Sequence, residues 1–182
     1  MKVLAICGSL RDGSSTARAL EIASASAAAA GAEVVSVHLG ALDLPFCDGR
    51  SDEQSYGGDF TAFADMVRSA DGLIIGSPNY HGSIAGVLKN ALDLLGPDAI
   101  RDKLVGLIAT ARGDAGAMNT LNHLRHICRW MNGWVIPAEV SIPRAQLVMG
   151  EDPDEAIRAQ LVSLGQELVR YNGLLRGQSP SK

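Results

Sequence analysis

Short, uniformly apolar runs alternate along this chain with longer stretches whose apolar residues recur every three or four positions. Lys2-Val3-Leu4-Ala5-Ile6-Cys7 and Gly72-Leu73-Ile74-Ile75-Gly76 have the length and composition of buried strands. By the same reading, strands are expected at 2–7, 33–38, 72–76, 103–110 and 134–142. Helices are expected at 14–30, 59–70, 83–95, 116–132 and 153–172. In 83–95, Ile84, Val87, Leu88, Ala91, Leu92 and Leu95 fall on one helical face, and Gly96-Pro97 provides the stop. Strands recurring about every 30 residues with helices between them predict βαβ units and a parallel sheet. Right-handed crossovers then give a doubly wound, three-layer α/β sandwich. One domain is expected over 1–176, with a frayed tail at 177–182. The segment 39–58 is the one long irregular connection, a candidate lid or rim. The last helix is expected to open on Asp152 as N-cap, with Pro153 at the first helical position and Glu155 closing a capping box. The Ala/Ser-rich stretch from Ala23 to Ala32 lies inside a helix, where small side chains allow close packing.

Three loops stand out, and each follows an expected strand. After the first strand comes Gly8-Ser9-Leu10-Arg11-Asp12-Gly13-Ser14-Ser15-Thr16. It holds the hydroxyls of Ser9, Ser14, Ser15 and Thr16, one guanidinium and the amino terminus of a helix. Free N–H groups and the positive dipole end favour an anion there, and Arg11 can bond two phosphate oxygens at once. A phosphate site without a lysine is one reading; an ordinary strand–turn–helix connection with a serine N-cap is the other. After the third strand comes Ser77-Pro78-Asn79-Tyr80-His81-Gly82-Ser83, which offers Pro for stiffness, Gly for close approach, and Tyr80 and His81 for stacking against a flat, polar-edged ring. After the fourth comes Thr110-Ala111-Arg112-Gly113-Asp114-Ala115-Gly116. In a 2-1-3-4-5 strand order these loops converge at the topological switch point, where open α/β sheets bind ligands.

Composition removes several classes. A net charge of −4 argues against nucleic acid or an anionic membrane as the main partner. No apolar run reaches the roughly 18 residues needed to cross a bilayer. The opening Met1-Lys2-Val3 enters a strand directly, so no signal peptide is expected. Cys7, Cys47 and Cys128 are scattered and odd in number, which suits a reducing cytoplasm. Neither Gly-x-Gly-x-x-Gly nor Gly-x-x-x-x-Gly-Lys is present. The loop between Cys7 and Arg11 is too short for a cysteine phosphatase cradle. His123, His126 and Cys128 lie near each other on one helix, where packing is the simpler reading than a metal site. Trp130 and Trp134 suit a core or an interface.

Gly8-Ser9-Leu10-Arg11 with its following serines, Ser77-Pro78-x-Tyr80-His81, and Leu88-Lys89-Asn90-Ala91-Leu92-Asp93 resemble the flavodoxin-like NAD(P)H-dependent FMN reductases, which include azobenzene, chromate and quinone reductases. Gly116-Ala117-Met118-Asn119-Thr120-Leu121-Asn122-His123-Leu124-Arg125 is similar to the azobenzene-reductase branch. The resemblance implies a flavodoxin-like fold and noncovalent FMN. It implies Ser9, Arg11, Ser14, Ser15 and Thr16 around the phosphate, and Pro78, Asn79, Tyr80, His81 and Gly82 along the isoalloxazine. The third loop, with Thr110, Arg112 and Gly113, would flank the flavin. NADPH or NADH would visit as a substrate, and a flavin, quinone, azo dye or chromate would be the acceptor. A homodimer or homotetramer is implied as well, with 84–95 or its flanks at a subunit contact. Asn79 departs from the glutamate of many relatives, and Arg112 and Asp114 stand where relatives often carry small residues.

Flavin chemistry needs binding and orientation rather than a protein nucleophile, so no catalytic side chain is expected. A flavodoxin-type electron carrier is the competing class, and a flavin-dependent redox sensor is a third. Carriers shield the flavin with large aromatics and present a strongly acidic face. An aromatic content of 4% and the modest net charge favour an enzyme with an open flavin face. Arg112 is open to a nicotinamide-nucleotide phosphate or to plain solvation.

Overall fold

In the computed structural model, which describes residues 1–50, 52–175 and 177, the five apolar runs form one all-parallel sheet. Its strands are β1 (Lys2–Cys7), β2 (Glu33–His38), β3 (Gly72–Pro78), β4 (Leu104–Thr110) and β5 (Trp134–Ile142), in spatial order β2-β1-β3-β4-β5. The expected order and class are the observed ones. β3 runs two residues past expectation because Ser77 and Pro78 stay in register with Ala109 and Thr110. The tail beyond 177 lies outside the described residues.

Successive side chains of a strand point to opposite faces, so strands covered on both sides must be apolar throughout. On one face Leu4, Ile6, Leu73, Ile75, Val105 and Leu107 pack against α2 (Gly58–Ser69), α3 (Gly86–Asp93) and α4 (Met118–Trp130). On the other, Val3, Ala5, Ile74, Ile108, Ile136 and Val140 meet α1 (Ser15–Ala29) and α6 (Glu155–Leu175). The small residues of α1 let α6 approach its backbone. A Cβ on Gly165 would sit 2.3 Å from the Ala23 carbonyl oxygen, so only glycine fits that crossing. Ser26 Oγ also donates to the Val162 carbonyl at 2.7 Å.

Three expectations need correction. α3 starts at Gly86 rather than at 83, because Ser83 pairs with Tyr80 and Ala85 is extended. The cap of α6 is Asp154, not Asp152: its Oδ1 accepts from the amides of Ala156 at 3.0 Å and Ile157 at 3.1 Å. Pro153 therefore precedes the cap instead of sitting inside the helix. A short helix α5 (Ala145–Val148) after β5 was not expected. The long connection 39–58 is knitted by side chains. Asn90 Nδ2 donates to the Pro45 carbonyl at 2.9 Å, and Cys47 N–H donates to Asn90 Oδ1 at 2.9 Å.

Candidate functional site

β1 delivers the chain to the carboxyl edge of the sheet, and Gly8 N–H closes onto the Gly76 carbonyl at 2.8 Å. The loop then turns into α1. Ser14 caps this helix: its Oγ accepts from Ala17 N–H at 3.1 Å, and its carbonyl accepts from Arg18 N–H at 3.1 Å. Among the described residues nothing accepts from the N–H of Ser15 or Thr16. Two donors at the positive end of a helix are therefore left for an anion. Beneath them Thr16 Oγ1 and Thr110 Oγ1 share a buried bond of 2.7 Å, which ties α1 to the end of β4. Burial pushes the Cys7 thiol up from its ordinary pKa, against smaller opposing contributions from the Ser9 amide and the Ser14 hydroxyl.

The loop after β3 is a tight two-residue hairpin. Tyr80 and Ser83 exchange both backbone bonds at 3.0 Å. His81 and Gly82 between them have φ of 52° and 81°, the paired positive values of a type I′ turn. The turn is pinned to α4: Asn119 Nδ2 donates to the Gly82 carbonyl at 2.9 Å, and Thr120 Oγ1 donates to the Ser83 carbonyl at 3.2 Å. Ser83 Oγ meets His123 Nδ1 at 2.8 Å. Asn79 N–H bonds the Thr110 carbonyl at 2.7 Å, and Asn79 Nδ2 donates to the Gly116 carbonyl at 3.2 Å. Asn79 Oδ1 is buried without a partner, an acceptor left over on the wall of the cleft.

These loops enclose a cleft of about 520 Å³, within the usual range for small-molecule sites. Ser9, Arg11, Ser14, Ser15, Thr16, Pro78, Asn79, Tyr80, Thr110 and Arg112 line it. His81, Gly82 and Gly113 do not; the first two form the hairpin tip, and His81 is exposed. Ala111 of the third loop completes the wall with Ala145 and Gln146, and these last two belong to no loop singled out from the sequence. The segment carrying Ala145 and Gln146 is a fourth loop, after β5. Arg144 there has φ of 45°, and Pro143 just before it is the one sequence cue to a break at that point.

The wall carries two guanidiniums and no carboxylate. Neither Arg11 nor Arg112 has an ion-pair partner among the described residues, whereas Asp114 is matched by Arg144 at 3.3 Å. Away from the cleft, the His123, His126 and Cys128 group does not converge. His126 packs edge-on against Trp130, and Cys128 is buried with its thiol pushed up to about 12 by that burial. No cluster of metal-ligating side chains occurs among the described residues. Trp130 and Trp134 are 70% and 63% exposed, which removes the core reading for both.

A doubly wound α/β sandwich of order 2-1-3-4-5 with its cleft at the switch point defines a flavodoxin-like domain. The profile described as NADPH-dependent FMN reductase matches residues 1–146, and the chain belongs to that oxidoreductase family. The chain is 43% identical over 88 residues to an FMN-dependent NADPH-azoreductase of Staphylococcus aureus (strain USA300). That match covers 48% of this chain and spans less than half, 46%, of the relative's own length. Among solved structures it resembles an NADH:FMN oxidoreductase in apo form, with TM-score 0.77 and 24% identity over 93% of this chain and 89% of the other. It also resembles a flavoenzyme NAD(P)H:(acceptor) oxidoreductase from Paracoccus denitrificans, with TM-score 0.79 and 21% identity over 95% and 97%. At these identities the two structures speak for the fold alone. No helix among the described residues is long and apolar enough to cross a membrane.

Proposed function

We propose that this protein is an NAD(P)H-dependent FMN oxidoreductase acting on a small acceptor such as a flavin, quinone, azo compound or metal oxyanion. The observation that carries the reading is the union, in one cleft, of free amides at a helix amino terminus with a tightly bonded hairpin loop. The residues fit FMN. The free amides of Ser15 and Thr16, with Arg11, Ser9 and Ser14, suit a phosphate; Pro78, Asn79 and Tyr80 suit a ring; the leftover Asn79 acceptor suits a ligand N–H. When bound, FMN would accept hydride from NAD(P)H at N5 and pass the electron pair to the acceptor. The chain's part is to hold and orient. His81 and Gly82 set the turn that aims Tyr80, and Thr110, Arg112 and Gly113 belong to the facing loop.

Tyr80, half-exposed, is the one aromatic on the wall, so a substrate can stack where a carrier would bury the ring. This favours the enzyme over a flavodoxin-type electron carrier. A single open face serves nicotinamide and acceptor in turn, hence a ping-pong scheme. A homodimer or homotetramer is supported by the exposed Trp130 and Trp134, and a cytoplasmic setting by three free thiols. The test is oxidation of NADPH and NADH by the FMN-loaded protein against a quinone and free FMN. Turnover with parallel double-reciprocal lines is expected. Intersecting lines would end the shared-face scheme, and absence of turnover would favour the carrier.

A further inference from the structure

We infer that Arg112 is a second phosphate-reading residue of the cleft, paired in function with Arg11; this rests on the flavin reading above. The loop carrying Arg112 is anchored at both ends to different parts of the site. At its start, Thr110 bonds Thr16 of α1 at 2.7 Å. At its finish, the Gly116 carbonyl accepts from Asn79 of the ring-side hairpin. Between these anchors, a strap formed by the segment after β5 fixes where residue 112 lies. Gln146 Nε2 donates to the Arg112 carbonyl at 3.3 Å, Arg144 N–H to the Gly113 carbonyl at 3.2 Å, and Ala145 N–H to the Ala111 carbonyl at 2.9 Å. The strap in turn rests on α1: Ser15 Oγ donates to the Ala145 carbonyl at 3.0 Å, and an Arg18 guanidinium N–H to the Met149 carbonyl at 2.9 Å. The loop of Arg112 is thereby tied to α1 through Ala145, and Arg112 lines the same cleft as Ser15 and Thr16.

Charge leads to the same place. The acid nearest Arg112 in sequence, Asp114, is held by Arg144, so the Arg112 guanidinium is not neutralised by its own loop. Two guanidiniums without ion-pair partners among the described residues and a helix amino terminus lining one cleft match a phosphomonoester, which carries close to two negative charges at neutral pH. Two molecules in the proposed reaction present that group: FMN through its terminal phosphate, and NADPH through its 2′-phosphate. Riboflavin and NADH are the same molecules without it.

The experiment measures flavin affinity by fluorescence quenching, with FMN and riboflavin, and steady-state KM, with NADPH and NADH, for wild type, Arg112→Gln and Arg112→Lys. Arg158→Gln removes one positive charge away from the wall without breaking an ion pair among the described residues, and serves as the control. If the phosphate is the flavin's, Arg112→Gln weakens FMN by roughly tenfold and leaves riboflavin unchanged. If it is the nucleotide's, the FMN-to-riboflavin ratio holds, and the KM for NADPH rises about tenfold with that for NADH unmoved. Arg112→Lys recovers part of either loss. The inference is overturned if neither ratio moves, or if Arg158→Gln moves them equally, which would make the effect a general field. A wild type that binds neither flavin overturns the flavin reading itself and this inference with it; tight FMN binding with unmoved ratios overturns this inference alone.

Discussion

The loops after β1 and β3 bracket the same cleft and are built in opposite ways. The β3 loop is held mostly by the protein: its hairpin bonds, its ties to Asn119 and Thr120 and the Ser83–His123 contact fix the turn, and Asn79 Oδ1 is the buried acceptor left over. The β1 loop leaves two helix amides and a guanidinium without partners. One turn is fixed by bonds within the protein, and the other leaves backbone donors open. Stability and affinity should therefore separate between them. Substitutions in the hairpin should cost folding free energy, whereas those in the cradle should cost binding.

Gly82→Val offers the strongest test of that separation. A β-branched residue at φ of 81° strains the turn, and about 3 kcal/mol of stability should be lost in urea melts without flavin. A Cβ there would meet only Asn119 Nδ2, at 3.6 Å, so the strain is in the backbone and not in crowding. A variant as stable as the parent would break the comparison. Arg11→Ala should do the reverse. FMN binding should weaken by about 2 kcal/mol, riboflavin binding should hold, and the unliganded melt should stay within about 0.5 kcal/mol. Equal losses for the two flavins would take the phosphate role from Arg11. Ser14→Ala should show both effects at about 1 kcal/mol each, since its hydroxyl caps α1 and lines the cradle. The smallest effect is alkaline. The Cys7 thiol, raised by burial under the β1 loop, keeps its proton in the folded state when the unfolded chain loses it. Its contribution is complete below the ordinary thiol value of 9.0 and lost as pH rises through the higher folded value. Cys7→Ala should flatten the fall in stability above pH 9, and a variant with the parent's slope would show that Cys7 carries none of it.

The parts of this site that could be read from sequence are those with a local cause. Buried strands declared themselves because every side chain must be apolar when both faces are covered, and the cradle did so because glycines, serines and an arginine precede a helix. The hairpin was missed as a hairpin. Its first left-handed position holds His81, where a turn signal is usually Asn or Gly, so Ser83 looked like the start of a helix. The α5 wall has four residues and no periodicity to detect, and its position depends on bonds to Ser15 and Ala111, distant in sequence. Asp152 and Asp154 are equally good caps on paper; the choice between them belongs to where the chain leaves α5, where Asp154 N–H bonds the Val148 carbonyl at 2.9 Å.

The crossing of Gly165 on Ala23 has a bearing on the order in which the cleft can come into being. The cradle's donors lie on α1, yet the inner face of that helix is made mostly of small residues, with little apolar area of its own to bury. Much of its packing comes from Leu161, Leu164 and Leu168 of α6, far along the chain. A cleft whose donors sit on one helix is thus finished only when a helix distant in sequence docks against it, and flavin uptake should mark completed folding.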